Sequence, residues 1–395
     1  MTEAGEVSLL EGPAVEPALA TAAAQLIGRL EQWSLRGMHH RPGAGVTGIY
    51  AVRCRTPDGQ LEGFLCLTTR TFEGTFPRSV RLRGPGGIAL LAWSHPNDPL
   101  LPDLAWACDA NSVGAALFGV RAAKLTTLGY RPMRRAVLRA EGAGETRFLK
   151  VLRQDHVAPL RRRHELLLDA GIPVPQPLTS PRKDVLVTMP AKGTPLASRL
   201  MLDGAADLAP RTLIDLLERL PQGARNLSAR PPWSARVRDY ARAATAALPA
   251  ESARIAELAV RVEGVIRTEP AGPVVATHGD FYEGNLLIEN GQVTGVLDLD
   301  GVGPGHLVDD LACFLAHLAV LPCVDERYVH VPGALTRFQG AFEERVEASA
   351  LRARTAGVVM TLIAGARKPG QNQPDDGWRA DALRRLRVAE HFLGS

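Results

Sequence analysis

Two periodicities divide the chain. Through residues 37–151 apolar and polar positions tend to alternate, whereas beyond Pro195 apolar residues recur at three- and four-residue spacings, so strands are predicted first and helices later. Ahead of both, residues 16–33 read as an Ala- and Leu-rich helix with Leu19, Leu26, Leu30 and Trp33 near one face. G-V-T-G-I-Y-A-V-R-C and L-E-G-F-L-C-L-T-T-R then form a strand pair joined through Pro57-Asp58-Gly59. Residues 88–93 add a strand, N-D-P-L-L-P-D-L is a Pro-broken connection, and residues 111–120 make a short helix or loop. A second pair, P-M-R-R-A-V-L-R-A and T-R-F-L-K-V-L-R, turns at Gly142-Ala143-Gly144. A helix over 157–169 closes at Ala170-Gly171, and a strand over 185–189 runs into a Pro- and Gly-rich connection. The later helices are expected at 213–220, 235–247, 251–266, 311–321, 334–350, 352–366 and 378–392.

The two strand pairs look like copies. His40-Arg41-Pro42 corresponds to Tyr130-Arg131-Pro132, and Gly63-Phe64-Leu65-Cys66-Leu67 to Arg147-Phe148-Leu149-Lys150-Val151. The competing explanation is chance recurrence of a common hairpin pattern. In this alignment Cys66 stands where the second copy has Lys150. An ammonium between Leu149 and Val151 in a strand is costly unless an anion meets it, so Lys150 marks an anion site.

Composition changes this picture little. At 395 residues the chain holds two or three domains, and 46% apolar with 22% charged residues is ordinary for a globular protein. A formal charge of +4 with no basic run gives no sign of nucleic-acid binding. Five scattered cysteines without C-x-x-C spacing argue against a disulfide framework and against zinc. The acidic N-terminus lacks a secretory pattern, and no run approaches the roughly 20 apolar residues of a membrane span. A cytoplasmic location is expected; no oligomeric state follows.

The chemistry gathers in residues 277–311. Residues 286–289 and 292–298 are β-type runs joined by Asn290-Gly291, the pair favoured in a two-residue hairpin turn. With Glu289 facing Gln292, Leu287 would face Thr294 and Asn285 would face Val296, making Asn285 and Asp298 diagonal neighbours roughly 7–8 Å apart. An amide oxygen and a carboxylate so placed suit Mg²⁺, which takes oxygen ligands and is usually completed by substrate phosphates. A purely structural hairpin would leave Asp280, Asp298 and Asp300 repelling one another beside an apolar sheet.

Asp280 precedes Asn285 by five residues in H-G-D-F-Y-E-G-N, G-V-L-D ends the next strand, and Asp310-Leu311-Ala312 follows. These parts resemble the aminoglycoside phosphotransferase and choline kinase branch of the kinase superfamily. The rival is V-L-D-L-D-G-V, which resembles the nucleophile motif of haloacid-dehalogenase-type phosphatases, a family needing a complete parallel α/β domain.

The kinase resemblance implies an α+β, bilobal protein-kinase-like fold. Its expected parts are an N-terminal cap (1–128), a nucleotide lobe of antiparallel strands with a hinge (129–194) and a helical lobe (195–395). It implies ATP and Mg²⁺. Lys150 would meet the nucleotide phosphates, held by Glu165 of the next helix; the alternative for Glu165 is a surface pair with Arg161. Met189 and Ala191 would border adenine, Asn285 and Asp298 would hold the metal, and Asp280 would accept the proton of a small-molecule hydroxyl. His278 would be a strut, and a ligand role for Asp300 stays open. Asp375 and Asp376, in the polar loop 368–378, would flank the acceptor or be ordinary exposed acids. The added N-terminal domain resembles the bacterial maltokinase and glucosamine kinase type, although those relatives carry Gln where Asn285 stands. A sugar or aminosugar is the first acceptor expected and an aminoglycoside antibiotic the second. A pseudokinase would have lost one of Lys150, Asp280, Asn285 or Asp298; all four are present.

Overall fold

The computed structural model describes residues 3–40, 45–228, 230–366 and 377–394. The chain forms two compact units, one of Met1–Pro159 with Pro177–Met189, the other of Leu160–Gln176 with Pro190–Ser395.

The first unit is built on two five-stranded sheets whose strand pairs are all antiparallel. Helices α1 (Glu3–Glu11) and α2 (Glu16–Leu26) precede β1 (Arg29–His40), β2 (Val46–Thr56), β3 (Gly59–Thr68), β4 (Ser79–Arg83) and β5 (Ala89–Ser94), paired in the order β1-β2-β3-β5-β4. The helix expected over 16–33 thus stops at Leu26, and Trp33 lies in a strand. Gly28 explains the stop: a Cβ there would sit 2.5 Å from the Arg55 carbonyl, and this close approach lets Arg29 pair with Arg55. The turn expected over Pro57-Asp58-Gly59 is there with two loop residues, Pro57 and Asp58, because Gly59 already pairs with Thr56.

Two short helices, α3 (Leu104–Ala107) and α4 (Ala110–Val113), then precede β6 (Lys124–Arg131), β7 (Arg135–Gly142), β8 (Glu145–Leu152), β9 (Pro177–Leu178) and β10 (Val185–Thr188), paired in the order β6-β7-β8-β10-β9. In chain order both sheets read first, second, third, fifth, fourth. The alternation signal missed β6 and placed the next strand from Pro132. Met133 instead takes a left-handed conformation (φ 58°) in a turn closed by Arg134 N–H donating to the Arg131 carbonyl, so β7 begins at Arg135. The boundary expected after residue 128 falls inside β6.

Helix packing is also duplicated. Leu10, Val15, Leu19, Ala22 and Ala23 cover the sheet face bearing Tyr50, Leu65 and Leu67, while Leu101, Leu104, Ala107 and Val113 cover the face bearing Leu138, Leu149 and Val151.

The second unit takes in most of α5 (Val157–Asp169) and the helices α6 (Leu196–Asp203), α7 (Pro210–Glu218), α8 (Val237–Ala247), α9 (Ser252–Thr268), α10 (Leu307–Val324), α11 (Val331–Glu343), α12 (Ala348–Ile363) and α13 (Trp378–Gly394). The helix expected over 334–350 breaks at Glu343, and α12 starts beyond Glu347, whose carboxylate accepts the Ser349 N–H. Helix α10 is, among the described residues, long and apolar enough to cross a membrane by length and composition, unlike what the sequence suggested. Here it is a core helix with Leu311, Phe314, Leu315 and Leu318 buried. Two small sheets complete the unit: β11 (Thr194–Pro195), β13 (Leu286–Glu289) and β14 (Gln292–Val296) in the order β11-β13-β14, and β12 (Val274–Thr277) paired with β15 (Gly303–His306).

Candidate active site

The segment between β12 and β13 carries H-G-D-F-Y-E-G-N and is fixed from both sides. Phe281 is buried against Phe314 of α10, with ring centroids 6.1 Å apart. The buried Asp310 carboxylate accepts the His278 N–H at 2.7 Å and the Gly279 N–H at 2.8 Å. Burial raises Asp310 to about 7, against the pull of these two donors. Charge-assisted bonds of this kind are stronger than neutral ones, so Asp310 clamps the loop. The D-L-A match marked this residue in the sequence without revealing what it holds.

His278 is a strut in the structure. Its Nε2–H donates to the Leu297 carbonyl at 2.9 Å and its Nδ1 accepts the Asp280 N–H at 3.3 Å, so the ring spans from the loop to the residue before Asp298. Both nitrogens are engaged as in a neutral imidazole, and burial pushes its pKa below the usual value.

Glycine permits a close backbone contact here. Gly279 has φ +78°, and a Cβ on it would lie 2.6 Å from the Gly301 carbonyl oxygen; a Cβ on Gly301 would in turn lie 2.8 Å from the His278 carbonyl oxygen. The glycine of D-L-D-G is therefore accounted for by backbone approach to the H-G-D loop. The strand pairs of the described residues are antiparallel throughout, so the parallel domain required by the phosphatase reading is not there.

The hairpin register differs from the prediction. Glu289 faces Gln292 as expected, but a bulge between Leu287 and Ile288 sets Ile288 opposite Val293, Leu287 opposite Gly295 and Leu286 opposite Val296. Thr294 is the extra residue, and its hydroxyl leaves the ladder to donate to the Lys192 carbonyl at 2.9 Å. Asn285 consequently meets Leu297, whose N–H donates to the Asn285 carbonyl at 2.8 Å. Neither candidate metal ligand is a strand residue: Asn285 ends a 3₁₀ turn (Glu283–Asn285), and Asp298 follows the strand in a left-handed conformation (φ 56°, ψ 60°).

The Leu297–Asn285 bond leaves Asp298 one residue beyond the position that Asn285 faces. The Asn285 amide nitrogen donates to the Asp280 carbonyl at 2.9 Å, which turns its oxygen away from that carbonyl. An amide oxygen and a carboxylate are hard donors that fit Mg²⁺ when phosphates complete the shell. No group of three or more His, Cys, Asp or Glu suited to a metal occurs among the described residues. Asp300, left open by the sequence, lies in the turn Leu299–Gly301, and its charge acts on the buried Arg163 guanidinium. Arg163 itself donates to the Val302 carbonyl at 3.0 Å and the Ser228 carbonyl at 2.9 Å, joining α5 to this turn. Sequence reasoning looked only at Arg161 and Glu165 on that helix.

The remaining expected residues are distributed as follows. Lys150 lies in β8, the central strand of the second sheet, flanked by Val137 of β7 and Leu186 of β10. Glu165 is exposed on α5, in the second unit. Met189 is the last residue of the first unit, and Ala191 is the second residue of the segment that continues in the second unit. Asp375 and Asp376 lie outside the described residues.

One residue was missed altogether. Trp233 opens a 3₁₀ turn (Trp233–Arg236) after Pro231-Pro232, and its Nε1–H donates to Asp280 Oδ1 at 3.2 Å. An isolated aromatic after two prolines has no periodicity to mark it. Glu283, inside the same loop, is buried with Oε2 unpartnered, and burial raises its carboxyl to about 7.

Residues 133–342 match the model of a family described as "Phosphotransferase enzyme family", more than half of the chain. No curated protein sequence matches it. Among solved structures, aminoglycoside phosphotransferase APH(4)-Ia in complex with ADP and hygromycin B is 15% identical at a TM-score of 0.47, covering 69% of this chain and 94% of that one. A choline/ethanolamine kinase family protein from Mesorhizobium loti is 17% identical at 0.48, covering 75% and 96%. Spectinomycin phosphotransferase APH(9)-Ia, with ADP and spectinomycin, is 15% identical at 0.47, covering 72% and 96%. The family match spans β7 to α11 and so takes in Lys150 and the whole H-G-D to D-L-A segment: the chain belongs to the phosphotransferase enzyme family and is a small-molecule kinase.

Proposed function

We propose that this chain transfers the γ-phosphoryl group of ATP to a hydroxyl of a sugar or aminosugar, with an aminoglycoside as the second choice of acceptor. One observation supports the reading: the loop that carries Asp280 and Asn285 is clamped by Asp310 and braced by His278, whose ring reaches the carbonyl of Leu297, the residue before Asp298. Asp280 accepts the proton of the acceptor hydroxyl as its oxygen bonds to the γ-phosphorus, and the bond from that phosphorus to ADP breaks. Asn285 and Asp298 would hold Mg²⁺, which when bound neutralises phosphate charge. Lys150 contributes an ammonium to the phosphates, with Glu165 as its partner, and the backbone around Met189 and Ala191 borders the adenine. Catalysis on this reading is mostly alignment and charge neutralisation. The sugar preference rests on the N-terminal domain, which resembles that of maltokinase-type relatives.

The test is ADP formation over a panel of sugars, aminosugars, aminoglycosides and amino alcohols. Transfer to a ring hydroxyl, lost in Asp280→Asn while Mg-ATP binding persists, is expected. Near-normal turnover in that variant would remove Asp280 from the mechanism, and transfer confined to acyclic amino alcohols would remove the sugar assignment.

A further inference from the structure

Trp233 is an exposed tryptophan on a rigid footing. The residue is 36% exposed, yet the next one, Ser234, is buried and its hydroxyl donates to Asp309 Oδ1 at 3.4 Å. Asp309 stands on α10 and also accepts from Arg354 Nε of α12 at 3.2 Å, in a pair whose side chains are both buried. Gly357 of α12 holds the turn from below: a Cβ there would come within 3.4 Å of Ser234 Cα. The turn is therefore fixed to two core helices while the ring it carries faces outward. Tyr240 lies beside that ring, at 6.1 Å between centroids, and the Arg236 guanidinium covers Tyr240 at 5.3 Å.

A buried tryptophan N–H normally finds an acceptor. Here the N–H has found the carboxylate proposed as the base, while part of the ring remains open. Small-molecule sites combine such aromatic walls with a few placed polar groups. We infer that Trp233 is a wall of the acceptor site: its ring takes the C–H face of a pyranose, and its N–H orients Asp280 toward the hydroxyl of that same ring. The inference rests on the reading of Asp280 as the base and narrows the acceptor to a ring alcohol. Toward substrate, Trp233 is a specificity residue; toward Asp280 it is a positioning residue.

The two roles separate in two variants, measured with whichever ring alcohol the unaltered protein phosphorylates. Trp233→Ala should raise the acceptor KM by about tenfold or more with the ATP KM unchanged. Trp233→Phe keeps a ring face but has no N–H, so it should hold the acceptor KM within about threefold while kcat falls by about tenfold. Melting temperatures close to that of the unaltered protein are expected for both, since the indole fills no core. Unchanged KM and kcat in Trp233→Ala would overturn the inference, as would a parallel rise of the ATP KM. An unaltered protein that phosphorylates only acyclic alcohols would overturn the ring assignment and leave the kinase reading standing. One that makes ADP with no acceptor at all would overturn both.

Discussion

The two sheets of the first unit share a strand order and differ at one decisive face. In the second sheet Lys150 sits between Val137 and Leu186; in the first, Cys66 sits between Ile49 and Trp93. Leu149 and Val151 on one side, and Leu65 and Leu67 on the other, turn to their helices, so Lys150 and Cys66 occupy the corresponding opposite faces. The Cys66 face is closed by the protein itself. Cys66, Leu91 and Trp93 pack with Met133, and Tyr130 lies over them. The Tyr130 hydroxyl donates to Asp98 Oδ2 at 2.7 Å and accepts from Trp93 Nε1 at 3.1 Å, while Asp98 also takes the N–H groups of Met133 and Leu100. Burial raises both the Cys66 thiol and the Asp98 carboxyl. The sheets also differ after the third strand: α5 follows β8, whereas the described residues between β3 and β4 hold no helix. The two sheets thus share a strand order but not the chemistry of this face. We propose that the first copy has become a catalytically silent cap, its phosphate-facing position filled by a joint to the second.

The largest expected effect comes from forcing the copies to match. Cys66→Lys would place an ammonium where Trp93, Met133 and Tyr130 leave no water, and should cost about 3–5 kcal/mol of stability, read as a lowered melting temperature. A stable variant would mean that the Cys66 face is open. Next, Lys150→Met should lower kcat/KM for ATP by about 10²–10³ while the fold persists, because a linear apolar side chain suits β8 but meets no phosphate charge. Full activity would reduce Lys150 to a lysine whose stem covers the sheet. Tyr130→Phe removes the hydroxyl shared by Asp98 and Trp93 and should cost about 1–3 kcal/mol by denaturant unfolding, with ATP kinetics unchanged. A fall in ATP affinity without loss of stability would instead tie the joint to the nucleotide site.

Much of this was legible where the signal is local. Alternation found β2, β3 and β8, the P-D-G turn appeared as a two-residue hairpin, and spaced acids with one Asn located the loop that carries Asp280 and Asn285 and the hairpin that ends at Asp298. What the sequence concealed depends on contacts distant along the chain. The bulge at Thr294 exists because its hydroxyl bonds to Lys192, so no rule about Asn290-Gly291 could register it. Helix α2 stops where Gly28 meets Arg55, and β6 was hidden because half-buried residues such as Leu125 and Thr126 break the alternation. Trp233 and Asp310 show the same limit at the site, since each acts through a residue tens of positions away.

Calorimetric titration of the whole chain with a non-hydrolysable ATP analogue and Mg²⁺ asks how many of the two sheets bind nucleotide. One site per chain is expected, weakened by Lys150→Met and untouched by Cys66→Ala. Two sites, or a single site indifferent to Lys150→Met, would contradict the assignment of the nucleotide to the second sheet alone.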